Sequence, residues 1–323
     1  MAATTSQQET GVPGGPPGHK QKEQTMIFSV QEGRPMNLAR AARPARLRLI
    51  STTAVLAVAT LVAVTAQAAS ARPSSSPVFS SGGGPKPAIV LEHGAWAGAS
   101  SWDKVIGQLQ ENGFTVYAPP NPLRGVSYDS TYLKDFLSTI PGPIVLVGHS
   151  YGGVVITNAA TGNSNVKALV YVDAFIPDQG ETLQDLVSAQ PGSCLGGNPA
   201  DVFNFAPYPG GPTGDVDIYI KPSVVPGCFA SGLPASQATV IAATQRPLAA
   251  SVLGEPSGAP AWKTIPSWAV IGTADKALPP AEQTFMAKRA GAHITDVNAG
   301  HLSMIADPEA VAQVIEQAAQ ATS

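Results

Sequence analysis

Short apolar runs, most of them without polar alternation, recur along the chain from residue 88 onward. Strands that are hydrophobic at every position are typical of a parallel sheet with both faces covered by helices. The runs that predict strands span 88–91, 114–117, 144–147, 168–172, 268–271 and 294–297. The pattern therefore predicts a sheet buried inside an α/β fold.

Segments with helical features separate these runs, so strands and helices alternate along most of the chain. Ser101 can cap the first predicted helix, and Gly113 can stop it. The predicted helices span 102–112, 130–140, 152–160, 280–290 and 308–319. The alternation stops between about 174 and 265, where Pro and Gly are frequent and no period is clear. We expect this stretch to be a cap over the carboxyl edge of the sheet, where α/β folds bind ligands.

The first 85 residues differ from the rest in composition. Residues 1–35 are rich in Gly, Pro and Gln. We expect them to be disordered, or to lie before the true start of translation. Residues 36–71 combine four arginines, an uncharged run and small residues at its end, which is the pattern of a secretory signal peptide. Residues 72–85 are predicted to be a flexible linker, and residues 86–323 to be the folded domain.

The signal predicts a secreted or periplasmic protein that is cleaved near Ala68 or Ala71. The alternative is an uncleaved anchor, which would be its only attachment to a membrane. Export would place Cys194 and Cys228 in an oxidising compartment, where we expect a disulfide between them. Two cysteines are too few for a four-cysteine zinc site.

The charge of the chain argues against a nucleic-acid partner. Charged residues make up 13% of it, apolar residues 44%, and the net charge is −3. Residues 72–323 alone hold 12 basic and 19 acidic side chains, so this part carries −7. Since phosphate backbones bind to positive surfaces, we expect no nucleic-acid binding. The sequence leaves the oligomeric state open.

The sequence Gly148-His149-Ser150-Tyr151-Gly152 fits the pattern G-x-S-x-G and stands directly between a predicted strand and a predicted helix. In that context the pattern predicts a sharp turn that exposes a nucleophilic serine hydroxyl. Glycine suits such a turn because it lacks the Cβ atom that would collide with the neighbouring backbone. Ser150 is therefore the candidate nucleophile, and the alternative is an ordinary Gly-rich turn.

A serine hydroxyl needs a base to remove its proton. His301 follows the last predicted strand, at the same sheet edge as Ser150, and is the candidate base. His93 is expected to hold a loop, and His149 to point to the face opposite Ser150. His293 begins a strand, so we expect it to have a surface or loop role.

The base in turn needs a carboxylate to orient it. Asp275 follows the strand at 268–271 and Asp173 follows the strand at 168–172, so both stand at the correct edge. Both also satisfy the chain order Ser, Asp, His. The residues alone leave the choice between these two carboxylates open.

An oxyanion that forms on the substrate needs main-chain N–H donors. The N–H of Tyr151, directly after the nucleophile, is one candidate. The other is the N–H of Ala95, in the loop that follows the first predicted strand. The alternative for this loop is a plain turn at a strand end.

These motifs resemble those of the α/β-hydrolase superfamily over about residues 86–320. The resemblance rests on the segments 93–96, 148–153 and 273–279 and on the late His301. Within the superfamily the chain looks most like the small-molecule serine esterases related to plant methyl esterases and hydroxynitrile lyases. In that branch the acid lies in the segment matched by 272–279, which favours Asp275. The resemblance implies a mostly parallel, eight-stranded sheet with helices on both faces and a cap.

Some positions depart from that branch. Hydroxynitrile lyases of this type carry a lysine after the catalytic histidine and a threonine where Gly94 stands, whereas this chain has Leu302 and Gly94. Both differences disfavour cyanohydrin cleavage. Ser150 separates the chain from dehalogenases and epoxide hydrolases, which use an aspartate. Glu92 stands where an aliphatic residue is expected, and the sequence offers no reason for it.

The resemblance and the motifs together predict a serine hydrolase for small or medium carboxylic esters. Ser150, His301 and Asp275 would carry the reaction, and the N–H groups of Ala95 and Tyr151 would bind the oxyanion. We expect a small-molecule ester as the partner, and no cofactor or metal. One alternative is a ligand-binding protein on a hydrolase scaffold. Another is lyase or perhydrolase chemistry on the same residues.

Overall fold

A computed structural model describes residues 86–322 of the chain. The segments 1–35, 36–71 and 72–85, with their predicted disorder, signal peptide and linker, lie outside the described residues. Between residues 86 and 322, no helix is long and apolar enough to cross a bilayer.

Nine strands in the described range form two sheets, and the larger sheet is parallel throughout. The strands are β1 (Ala88–Glu92), β2 (Val116–Tyr117), β3 (Ile144–His149), β4 (Val166–Val172), β5 (Phe203–Pro207), β6 (Val216–Ile220), β7 (Leu248–Ala249), β8 (Ser267–Gly272) and β9 (His293–Val297). The larger sheet has the order β2-β1-β3-β4-β8-β9. Each of its strands overlaps one of the predicted apolar runs, because burial of both faces requires such a run.

The family resemblance implies a sheet of eight strands, and the described residues show fewer. Their large sheet has six strands, and none of them is antiparallel. The antiparallel strands of the related fold come first in the chain. The described range begins at residue 86, only two residues before β1.

Nine α-helices in the described range connect these strands. They are α1 (Asp103–Glu111), α2 (Val126–Ser138), α3 (Tyr151–Ala159), α4 (Leu183–Ala189), α5 (Pro199–Val202), α6 (Ala235–Ala243), α7 (Pro280–Arg289), α8 (Ser303–Ala306) and α9 (Pro308–Ala321). The sheet is deeply covered, since all six residues of β3 and of β8 are buried. Burial of one such aliphatic side chain contributes about 1.5–3 kcal/mol. The sheet is therefore a rigid frame for groups at its carboxyl edge.

The chain between β4 and β8 forms the cap. It contains α4, α5, α6 and a second sheet with the antiparallel order β5-β6-β7, which the sequence pattern did not predict. Cys194 and Cys228 are joined by a disulfide with a Cα–Cα distance of 5.8 Å, so the expected pairing of the two cysteines is present.

Candidate active site

Ser150 occupies the sharp turn between β3 and α3. Its φ of +52° lies in the left-handed region, which costs a non-glycine residue about 1–3 kcal/mol. Three main-chain hydrogen bonds hold the turn. The Ser150 N–H donates to Val172 O at 3.3 Å, and Ser150 O accepts from Gly153 N at 2.9 Å and Phe175 N at 3.3 Å. The strain is thus held by the surrounding backbone.

Close backbone contacts explain two of the glycines around this turn. A Cβ atom on Gly148 would lie 2.6 Å from Gly152 O. One on Gly94 would lie 2.7 Å from Ser150 Cβ and 3.1 Å from Tyr151 N. A side chain at either position would force the backbone apart, so glycine allows the loop after β1 to approach the serine.

His301 lies in the loop after β9, with its ring beside Ser150. His301 Nε2 is 2.9 Å from Ser150 Oγ, and His301 Nδ1 is 2.7 Å from Asp275 Oδ2. Ser150 is 4% exposed and His301 is 2% exposed. The three side chains therefore form a continuous and nearly dry line of hydrogen bonds.

Asp275 is held by main-chain and side-chain donors. Its Oδ1 accepts the N–H groups of Ala277 at 2.8 Å and Leu278 at 3.0 Å. Its Oδ2 accepts Gln283 Nε2 at 2.7 Å in addition to the imidazole. Together with the imidazole, these donors fix the orientation of the Asp275 carboxylate toward His301.

Asp173, the other candidate acid, makes no hydrogen bond to the imidazole. Its Oδ1 accepts Gly272 N at 2.8 Å and its Oδ2 accepts Ser303 N at 2.9 Å. Burial and then the charge of Asp275 raise the pKa of Asp173 to about 7. Asp173 therefore connects the last residue of β8, Gly272, to Ser303, two residues after His301.

The pKa of His301 reflects opposing effects. Burial lowers it, but the charge and hydrogen bond of Asp275, together with the charge of Asp173, raise it above its ordinary value in sum. A raised pKa makes His301 a stronger base for the proton of a neighbouring hydroxyl.

His93 and His293 occupy the kinds of position that the sequence indicates. The His93 ring lies between Gly94 O and Asn121 N, at 2.9 and 3.0 Å, and burial lowers its pKa to about 4. It thereby holds the loop after β1 as a neutral ring. His293 is exposed at the start of β9, with its ring 5.1 Å from that of Trp268.

His149 contacts the loop that carries His301, and the prediction of its strand face did not include this contact. Its Nε2 lies 2.9 Å from His301 O, and the two rings are 4.9 Å apart. Strand alternation does place this side chain away from Ser150, but the loop after β9 folds over that end of β3. Burial and the charge of His301 lower the pKa of His149 well below its ordinary value, so His149 contacts His301 as a neutral ring.

The N–H groups of Ala95 and Tyr151 belong to two chain segments, the loop after β1 and the start of α3, which come into close contact at Gly94. Within residues 86–322 neither of them donates a hydrogen bond to another protein group. Free N–H donors next to a serine hydroxyl are what an oxyanion requires.

Trp96 connects the loop after β1 to the cap, and this contact was not predicted from the sequence. Its φ is +57°, and its Nε1 donates to Ile218 O at 2.9 Å. Its ring stacks on Phe203 at 5.7 Å and meets Phe229 edge-on at 5.9 Å. A tryptophan after Ala95 is a weak signal by itself, because its partners come from distant cap segments.

A cavity of about 670 Å³ lies beside the site. Trp96, Phe229 and Leu302 form part of its wall, and Arg246 also lines it. Trp96 follows Ala95 in the chain and Leu302 follows His301. The ring of Phe229 packs against the ring of His301. The volume suits a small organic molecule. Among the described residues, no group of three or more His, Cys, Asp or Glu side chains could share a metal ion.

Glu92 lies behind the site and is 1% exposed. Burial, and then the charge of Asp129, raise the pKa of Glu92 well above its usual range. Asp129 itself accepts the phenol of Tyr151 at 2.7 Å. Glu92 is therefore a neutral acid, and nothing in the structure explains why a carboxyl stands there.

A sequence model of the alpha/beta hydrolase family matches residues 89–314, well over half of the chain. The chain belongs to this family. The α/β-hydrolase fold that the motifs predict is thereby confirmed.

Curated relatives match this alpha/beta hydrolase over a shorter stretch. A carbendazim hydrolyzing esterase of Nocardioides sp. is 35% identical over 31% of this chain and 46% of its own length. Methylesterase 7 of Arabidopsis thaliana is 38% identical over 28% of this chain and 40% of its own length. The chain thus spans less than half the length of these relatives. The resemblance to plant methyl esterases is confirmed.

Solved structures share the fold of this alpha/beta hydrolase. A pyrethroid hydrolase from Sphingobium faniae is 23% identical, covers 73% of this chain and 98% of its own, and has a TM-score of 0.57. Tomato methylketone synthase I is 19% identical, covers 74% of this chain and 100% of its own, and has a TM-score of 0.61.

Proposed function

We propose that this chain is an exported serine hydrolase that cleaves small or medium carboxylic esters. The observation that carries the proposal is the unbroken line from Ser150 Oγ through the His301 ring to Asp275, with distances of 2.9 and 2.7 Å. The free N–H groups of Ala95 and Tyr151 beside it support the same chemistry. The names of the curated relatives, an esterase and methylesterases, support an ester as the substrate.

In the proposed reaction Ser150 Oγ attacks the carbonyl carbon of the ester while its proton passes to His301 Nε2. The carbonyl oxygen becomes an oxyanion, which the N–H groups of Ala95 and Tyr151 stabilise. Asp275 stabilises the imidazolium through Nδ1–H. The bond to the alcohol oxygen then breaks as Nε2 returns the proton to that oxygen, leaving an acyl-serine.

Water completes the cycle in the same geometry. His301 Nε2 takes a proton from water as the water oxygen attacks the acyl carbon. The second oxyanion collapses, and the bond to Ser150 Oγ breaks. The proton returns to Oγ, so a carboxylic acid leaves and the free serine is restored.

The test of this proposal is Ser150→Ala, with Ser138→Ala on the exposed face of α2 as the matched control. We expect Ser150→Ala to lower the kcat for p-nitrophenyl acetate by roughly 10⁴-fold or more and to abolish labelling by a fluorophosphonate. Ser138→Ala should retain both. Burst hydrolysis that survives in Ser150→Ala would reject the nucleophile. A panel of acyl and alcohol chain lengths on the wild type would then define the ester.

Export is a separate part of the proposal, supported by the signal pattern of residues 36–71 and by the disulfide in the cap. The full chain should be expressed in a secreting host and the exported product sequenced from its N-terminus. We expect cleavage after Ala68 or Ala71. An intact N-terminus in the membrane fraction would instead identify an anchor.

A further inference from the structure

One segment of the cap is bound to the loop that carries Asp275. The Cys194 N–H donates to Lys276 O at 2.8 Å, and Ser193 Oγ donates to Ala277 O at 2.7 Å. Lys276 and Ala277 directly follow Asp275, and the Ala277 N–H is itself one of the donors that hold this carboxylate. A displacement of the 193–194 backbone would therefore be transmitted to Asp275.

A second segment of the cap packs on the base. The fully buried ring of Phe229 lies 5.3 Å from the ring of His301. A Cβ atom on Gly300 would lie 2.3 Å from Ser231 O, so the backbone before the base touches the cap directly. The segment 228–231 therefore limits where His301 can lie.

The disulfide between Cys194 and Cys228 joins these two segments. The two cysteines are 34 positions apart in the chain, and the short helix α5, the strands β5 and β6, and turns lie between them. We propose that this disulfide is a positioning element for the reaction, because it fixes the cap segment on Asp275 relative to the cap segment on His301. This inference rests on the proposed function.

Loss of the covalent link would affect the chemistry more than the fold. Both cysteines lie in the cap, outside the strands of the parallel sheet, so their separation would free the two cap segments to relax independently. Misplacement of catalytic groups by about 1 Å can cost roughly 100-fold in rate. A looser contact with Asp275 would also remove the main influence that raises the pKa of His301.

The experiment compares the oxidised enzyme with the enzyme reduced under native conditions and with the double variant Cys194→Ser, Cys228→Ser. Reduction by a phosphine breaks the S–S bond, adds two electrons and two protons, and leaves two thiols while the phosphine takes up oxygen from water. We expect kcat for p-nitrophenyl acetate to fall by about 10–100-fold. The acid limb of the pH profile should move to lower pH, and oxidised glutathione should restore both in the reduced wild type.

The matched control is Asp215→Ala, which loosens the cap elsewhere. The side chain of Asp215 binds Tyr208, Val216 and Ser251, all within the cap. If the disulfide only stabilised the cap, its loss would lower the melting temperature, as Asp215→Ala does, and would leave the pH profile unchanged. That result would overturn the proposal, as would an unchanged kcat after complete reduction.

A readout without turnover separates this inference from the proposed function. The proton on His301 Nδ1, bonded to Asp275, can be followed by NMR in Ser150→Ala. We expect a downfield signal in the oxidised protein that shifts or disappears on reduction. A signal that persists unchanged would overturn the positioning role. Absence of ester hydrolysis by the oxidised wild type would instead refute the proposed function.

Discussion

Neighbouring strands β4 and β8 each end close to an aspartate, and the two carboxylates differ in what they can still bind. Asp173 uses one oxygen for Gly272 N and the other for Ser303 N. Asp275 directs Oδ1 to two main-chain N–H groups and keeps Oδ2 for His301 and Gln283. The comparison teaches that the end of a strand brings a carboxylate to the site, whereas the following turn decides which oxygen is left for the base.

Asparagine at the two positions should separate these roles most strongly. In Asp275→Asn we expect kcat to fall about 10⁴-fold, because an amide can neither hold the Nδ1–H tautomer nor stabilise the imidazolium. In Asp173→Asn we expect a loss of about 1–3 kcal/mol in the free energy of unfolding, because one main-chain N–H loses its acceptor. Steady-state kinetics and urea unfolding of both variants would test this. A larger loss of kcat in Asp173→Asn would reverse the assignment.

Removal of one hydrogen-bond donor to Asp275 should lower kcat less than the loss of the carboxylate itself. Gln283→Met replaces the side chain that donates to Asp275 Oδ2 at 2.7 Å with an apolar one of similar size. A hydrogen bond to a charged group contributes about 1.5 kcal/mol, so we expect kcat to fall about tenfold. Gln313→Met, on an exposed position of α9, is the matched control. Equal kcat values in the two variants would show that Gln283 does not position Asp275.

The smallest expected effect is a shift of the pH profile when the charge of Asp173 is removed. His301 must be neutral to act as a base, and its pKa is raised, so kcat/KM should rise with pH through a value above that of ordinary imidazole. Asp173 contributes to this raised pKa by its charge, so Asp173→Asn should move the acid limb to lower pH. An acid limb that moves to higher pH in Asp173→Asn would contradict this electrostatic role.

Much of the sheet could be predicted from the chain because a strand buried on both faces must be apolar at every position. The run at 144–147 followed by Gly148 marks β3 and its turn with little ambiguity. The order of the strands and the pairing of the cap sheet could not be predicted. These three strands are only two to five residues long, β5 is mostly exposed, and helix α6 lies between β6 and β7, so no period reveals their pairing.

The site was only partly open to prediction for a related reason. Ser150, His301 and Asp275 follow strands, so their shared edge could be inferred from the sequence. His149 and Trp96 gain their contacts from segments that are distant in the chain: the loop after β9 reaches His149, and strand β6 of the cap reaches Trp96. Alternation along one strand says which face a side chain takes, and it says nothing about what else reaches that face.

The sequence by itself determined a buried parallel sheet, a strained serine turn and the small set of histidines and aspartates that could serve it. Those features follow from local rules, namely hydrophobic periodicity, steric limits on glycine and the chemistry of side chains. Only the tertiary structure shows that Asp275, and not Asp173, hydrogen-bonds to the His301 ring, and that the cap contacts the segments around both Asp275 and His301. Those choices depend on which main-chain N–H groups and carbonyls are already occupied, and that is settled only when distant segments pack together.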